Sequence, residues 1–131
     1  MSDDAPSSFS GLNKHMNSGK PLIVAREGSE NTIFGDRDVN FAFRAWHDWC
    51  HWRGGYDFSF LGECATCHMQ VQQLKEHYGK NHQTAYWIEL LTAEVVGQRQ
   101  FYEKFKTYIS DQRAFAQAYL QDPGLALGRI W

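Results

Sequence analysis

The sequence predicts an all-α fold, a single small domain of three to four packed helices preceded by an irregular N-terminal arm. Three observations predict it. Apolar residues recur at three- and four-residue steps through most of residues 36–120. The periodic stretches are bounded by residues that cap helices, Asp and Ser before them and Gly after. The 131 residues, 43% hydrophobic and 15% aromatic, are enough for one core and too few for two.

Residues 1–20 are rich in Ser, Asn, Gly and Asp, the composition of an arm, and 21–131 form the helical domain. Pro21-Leu22-Ile23-Val24-Ala25 reads as an isolated extended piece, with a turn at Glu27–Asn31. Asp36 or Asp38 is a fitting N-cap for the first main helix, which runs to about Trp52 and ends at Gly54-Gly55. Val39, Phe43, Trp46, Trp49 and Cys50 form its apolar face, with Arg44 and Arg53 on or near the outer one. A second helix starts near Ser59-Phe60 and continues through Leu61, Cys64, Cys67, Val71 and Leu74 to Tyr78-Gly79. The short connection makes it antiparallel to the first. The third and longest runs from about His82 to Tyr108 through Trp87, Leu90, Leu91, Val95 and Phe101. Gly97 interrupts it at a cost of roughly 1 kcal/mol relative to alanine, which points to a packing or site-related reason. Ser110-Asp111 caps a fourth helix ending near Tyr119-Leu120, and Asp122-Pro123-Gly124 begins a tail.

Charge and cysteine content narrow the function classes. Thirteen basic and fifteen acidic residues give a net charge of −2, without the basic stripe that binds nucleic acid or a membrane surface. No apolar run reaches membrane-spanning length, and Met1–Pro6 lacks the features of a secretion signal, so a cytoplasmic location is expected. The odd number of cysteines, Cys50, Cys64 and Cys67, argues for reduced thiols. A small-molecule substrate is the partner class that remains.

The most informative segment is His47-Asp48-Trp49-Cys50-His51. Two histidines four apart on a helix place their imidazoles on one face, where both can hold one ion. The pattern has the shape of H-E-x-x-H with aspartate for glutamate, so the carboxylate of Asp48 reaches one methylene less far toward a metal-bound water. Glu63 and Glu94 are the expected further ligands. Glu94 lies among Leu90, Leu91, Val95 and Val96, where an unpartnered charge is costly and a divalent ion, zinc or iron, supplies the partner. An ion pair with Arg44, Arg53 or Arg99 satisfies the same argument. Gln98, one turn on, can orient a ligand or substrate, and His68 is a reserve ligand.

Cys64-Ala65-Thr66-Cys67-His68 matches the attachment pattern of a c-type haem, which would need an oxidising compartment and a second axial ligand such as Met16, Met69 being too close in sequence to reach the opposite face. Both cysteines read equally as apolar filler, or one of them joins His47 and His51 in a closed zinc site. A nucleophilic role for Cys50 or Cys67 has no local mark of an activated thiolate. Trp46, Trp49, Trp52, Tyr56, Phe58 and Phe60 read as core and loop packing, with a pocket for a planar substrate as the alternative.

The segments Asn40-Phe41-Ala42-Phe43-Arg44-Ala45-Trp46-His47-Asp48, Asp57-Phe58-Ser59-Phe60-Leu61-Gly62-Glu63 and Glu94-Val95-Val96-Gly97-Gln98 together resemble a helical domain of uncharacterised phage and mobile-element proteins, over roughly residues 20–125. The resemblance implies a shared set at His47, Asp48, His51, Glu63, Glu94 and Gln98, leaves out the cysteines, and brings no activity with it. The resulting expectation is a metal-dependent hydrolase with His47, His51, Glu63 and Glu94 as ligands and Asp48 and Gln98 as catalytic groups. The alternative is a non-catalytic phage or mobile-element accessory protein with a structural polar or metal site.

Overall fold

Each helix starts where a short polar side chain accepts from an otherwise unpaired first-turn amide. In the computed structural model, which describes residues 8–23 and 32–131, Ser8 caps α1 (Phe9–Asn17) and Asp36 caps α2 (Arg37–Gly54). Ser59 caps α3 (Phe60–Tyr78) and Asn81 caps α4 (His82–Thr92). Asp111 and Asp122 cap α6 (Gln112–Gln121) and α7 (Pro123–Ala126). Between α4 and α5 (Gln98–Phe105) the helix does not stop but widens into a π-turn, Ala93–Gly97. No strand occurs among the described residues, and the fold is all-α as expected.

The boundaries of α2 and α3 fall where the capping residues place them, with Gly55 at φ 70° closing α2. Four expectations change. Within the segment read as an arm, Phe9–Asn17 is a helix whose Leu12 is buried and which packs on α2, where Trp52 Nε1 donates to Asn17 Oδ1 at 3.0 Å. The long helix ends at Phe105, because Lys106 turns to φ 56° and cannot continue it. Pro123–Ala126, read as tail, adds one more turn. Val39 and Trp49, expected on the inner face of α2, are 50% and 37% exposed, and Leu61 of α3 is 78% exposed. On α2 Cys50 is buried as expected, and Asn40 and His51 are the other buried positions. The extended piece at residues 21–25 and the turn at 27–31 fall largely outside the described residues.

α2 and α3 run antiparallel. Trp46 bonds Gln73, His47 bonds Gln70, and His51 meets Thr66, so partner numbers fall along α3 as they rise along α2. α3 in turn packs on α4 and the π-turn, where Cys67, Leu91 and Val95 are buried with Phe43, Trp46, Val71 and Leu74 against them. A second apolar cluster joins α5, α6 and α7 through Phe101, Ile109, Phe115 and Ala126, with Trp131 packed over it. The π-turn bridges both clusters. A Cβ on Gly97 would stand 3.1 Å from the Tyr119 ring, so the glycine allows α6 to sit tight against this turn. That is the packing reason implied by a glycine inside a helix.

Candidate metal centre

Two consecutive turns of α2 and the first turn of α3 bring three ligand side chains together. His47 and His51 share a face of α2. Glu63 is aimed at them because Ser59 caps α3 and Gly62 lets the Asp57 backbone press against its first turn. A Cβ at Gly62 would fall 2.0 Å from the Asp57 carbonyl oxygen, which no side chain permits. The Nε2 atoms of His47 and His51 are 3.0 Å apart, and Glu63 Oε2 lies 3.0 Å from the first and 3.2 Å from the second. Ligand atoms of these three residues all lie within 4.8 Å of one another, the one such group among the described residues. Zinc at about 2.0–2.1 Å from imidazole nitrogen and carboxylate oxygen needs tetrahedral edges of about 3.3 Å. The triangle has nearly those edges.

The outer nitrogens of both rings are committed elsewhere, which decides what faces the centre of the triangle. His51 Nδ1–H donates to the Tyr56 carbonyl at 2.8 Å, and the Thr66 hydroxyl, itself donating to the Gly62 carbonyl at 2.8 Å, lies 3.1 Å from the same nitrogen. His47 Nδ1–H donates to Gln70 Oε1 at 2.8 Å. With both Nδ1 atoms donating, the neutral rings turn their Nε2 lone pairs toward the carboxylate oxygen, an arrangement that either a proton or a metal ion between them satisfies. Phe43 stacked on His47 and Phe58 edge-on to His51 hold the rings in place. His51 is 1% exposed, while His47 and Glu63 are 15% and 17% exposed and open one side of the group.

The electrostatics agree with a cation-seeking site. Burial pushes the Glu63 carboxyl up, but hydrogen bonds from His47 and His51 outweigh it and bring its pKa down to about 2. Burial opposes charge on His47, yet the hydrogen bond and charge of Glu63, then Gln70 and Asp48, raise its pKa above the usual imidazole range. A proton on His47 thus competes for the position an ion would take.

The exposed side of the trio faces an open cleft of about 730 Å³, also lined by Asn40, Arg44, Glu94, Gln98 and Tyr102. Glu94 lies in this cleft but outside the group of three ligands. Its carboxylate accepts from the Ile33 amide at 3.3 Å and from Gln98 Nε2 at 2.8 Å. Burial raises its pKa to about 7 against the pull of that amide, Arg44 and Gln98. Gln98 thus orients Glu94 from one turn further along. Asp48 is half-buried beside the trio and not a member of it. Burial raises its pKa, and the charges of His47 and His51 hold it back.

His68 is exposed, apart from the trio. Cys67 packs with Leu91 and Val95, and burial pushes its thiol up to about 11 against a bond from Thr92. Burial does the same to Cys50, with Gln73 opposing. Neither sulfur joins the ligand group, and both act as apolar filler. Arg44, read on or near the outer face, lines the cleft. Thr66, Gln70 and the Tyr56 carbonyl, which hold the rings, carry no local sequence signature. Asn40 and Arg44 did carry one, the i, i+4, i+7, i+11 stripe they form with His47 and His51. No helix among the described residues is long and apolar enough to cross a membrane. Compared with known protein families, curated proteins and solved structures, the chain matches none, so the trio and its cleft are what bears on function.

Proposed function

We propose that this chain is a metal-dependent hydrolase that holds zinc through His47, His51 and Glu63 and works on a small molecule bound in the adjoining cleft. The observation that carries the reading is the convergence of two Nε2 lone pairs and a carboxylate oxygen at 3.0–3.2 Å, with each outer ring nitrogen already committed. Two histidines and a glutamate with one side open match the ligand set of zinc hydrolases, whereas closed structural sites use four protein ligands. Zinc in such a site lowers the pKa of a water it binds to about 7.

The chain's own groups supply the rest. Glu94, in the same cleft and with a pKa near neutrality, accepts a proton from the attacking water and returns it to the leaving group. Gln98 keeps that carboxylate oriented through its 2.8 Å bond. Arg44 adds positive charge on the cleft wall, where charge develops as the substrate is attacked. Asp48, adjoining His47, tunes the charge of the ring without touching the cleft.

Elemental analysis and hydrolysis of chromogenic carboxylic and phosphoric esters test it. The purified protein is expected to take up one zinc per chain and to hydrolyse at least one ester class only when loaded. Glu63→Gln should lose both properties, and Glu94→Gln should keep the zinc while losing roughly a hundredfold or more in kcat. Stoichiometric zinc without metal-dependent hydrolysis would turn the trio into a structural clamp between α2 and α3. Uptake of iron in preference to zinc, with oxygen consumption, would replace hydrolysis by oxygen chemistry. No metal uptake at all ends the reading.

A further inference from the structure

Among the described residues, three buried polar atoms have no hydrogen-bond partner: Thr32 Oγ1, Gln70 Nε2 and Asn40 Nδ2. Of these residues, Asn40 lines the cleft that also holds His47, Glu63 and Glu94. It is 1% exposed and its Nδ2 has no hydrogen-bond partner within the protein, and a buried donor of this kind is stabilised by any acceptor that reaches it. Its position relative to the trio is set by helix geometry. Asn40 precedes His47 by seven residues on α2, which puts both on one face about 10 Å apart along the axis. Arg44, between them in sequence, lines the same stretch of cleft, and Arg99 lines it from α5.

We infer that Asn40 is a substrate-binding residue, donating from Nδ2 to an oxyanion, carboxylate or phosphate, that the substrate carries about 10 Å from the bond cleaved beside His47 and Glu63. Arg44 lines the same cleft, and its charge favours an anionic end there over a neutral one. The substrate is then an elongated molecule, hydrolysed at one end and recognised through an acidic group at the other. An analogue lacking that group gains nothing from the amide, so the two substrates differ by the hydrogen bond that the acidic group forms. The inference rests on the cleft being the substrate site of the proposed hydrolase, and it is testable without metal.

The experiment follows the side-chain amide resonances of metal-free, ¹⁵N-labelled protein during titration with inorganic phosphate and, separately, acetate. The Asn40 signal, assigned by its loss in Asn40→Leu, is expected to move saturably with at least one anion, and the tighter of the two names the oxyanion. In Asn40→Leu the anion's dissociation constant should rise about tenfold or more, the loss of one charge-assisted hydrogen bond. Zinc uptake should be unchanged in that variant, and its thermal midpoint unchanged or higher, because leucine has nearly the same shape and no orphaned amide. An Asn40 resonance that stays still with both anions overturns the inference, whatever the variant does. So does a folded Asn40→Leu protein that binds the anion as the wild type does. Failure of the wild type to bind zinc would instead sink the metal reading and leave the anion titration to be judged by itself.

Discussion

Around Phe101 and Phe115 the interior is hydrocarbon: the two rings meet edge to face at 5.6 Å, fully buried, under Trp131 and against Ala126. Around His51 it is polar. His51, Thr66, Gln70 and Asn40 are each 1% exposed or less, and directional bonds rather than apolar contact hold the first three. The apolar end draws its stability from area removed from water, which is indifferent to protons and metal ions. The polar end is stable only while each buried acceptor has a donor or a cation, so its stability depends on pH and on what is bound. The two ends of one small core should therefore respond to different insults.

The largest separation is expected from Phe115→Ala. Removing a fully buried ring that contacts Phe101, Tyr119 and Trp131 leaves a cavity between α5, α6 and α7. The cost should be about 3–5 kcal/mol, read as a lower urea midpoint at unchanged slope. Zinc bound per folded chain should stay as in the wild type. A fall in zinc affinity of the folded variant would mean that the two ends are mechanically coupled through the π-turn, against the division drawn above.

The π-turn also marks where the sequence stops being legible. Asp36, Ser59 and Gly55 announce helix ends because capping is local chemistry between a side chain and the nearest amides. Gly97 announces a disturbance, since glycine inside a helix has a cost that something must offset. What the disturbance is, an i→i+5 widening that carries Glu94 into the cleft, has no compositional mark. The same limit applies to the site. His47 and His51 declare themselves by spacing, and Glu63 completes them from the next helix. Glu94 was read as a fourth ligand because it is embedded among apolar residues. The burial is real, but the Ile33 amide and Gln98 are its immediate partners. Val39, Trp49 and Leu61 turn outward because a helix's inner face is decided by its neighbours, and on α2 a polar stripe took that place.

Glu94 provides the pH arm of the comparison. Its folded pKa of about 7 lies above the 4.5 of an unperturbed glutamate, so between these values the folded chain holds a proton that the unfolded chain has released. The Glu94 contribution to stability then falls as pH rises from about 4.5 to about 7, and is constant above. At 1.36 kcal/mol per pKa unit the full swing is on the order of 3 kcal/mol. Glu94→Gln keeps the bond geometry and removes the proton, so the metal-free variant should gain relative to wild type as pH rises through that window. The difference between the two thermal midpoints, measured from pH 5 to 8, isolates this residue from His47, which is common to both. A difference that stays flat with pH would place Glu94 in a better solvated setting than its burial indicates.

If the trio holds zinc as proposed, the ion stabilises the polar end by mass action, about 2.7 kcal/mol at a hundredfold excess over its dissociation constant. Phe115→Ala should retain that increment in full and Glu63→Gln should show none of it, which a pair of denaturation curves with and without zinc resolves. Equal zinc stabilisation of the Glu63→Gln variant would place the ion somewhere other than the trio.

The finest test lies one bond behind the His47–His51–Glu63 trio, at Thr66. Its hydroxyl donates to the Gly62 carbonyl and stands beside His51 Nδ1, so it ties the ring on α2 to the turn of α3 that carries Glu63. Thr66→Val preserves shape and branching while removing the hydroxyl. His51 Nδ1–H keeps the Tyr56 carbonyl as acceptor, so the ring loses a restraint rather than its tautomer. Stability should fall by about 1 kcal/mol, the ordinary net worth of a buried hydrogen bond. Zinc affinity should fall about tenfold, the lower end of what groups supporting a metal ligand contribute. The two readouts discriminate between roles. A purely packing residue would lower stability equally with and without zinc, whereas a residue that aims His51 must cost more in the loaded protein. If the zinc-bound and zinc-free forms lose the same amount, Thr66 belongs with the apolar end in its behaviour, and the boundary between the two regions runs closer to His51 than its hydrogen bonds indicate.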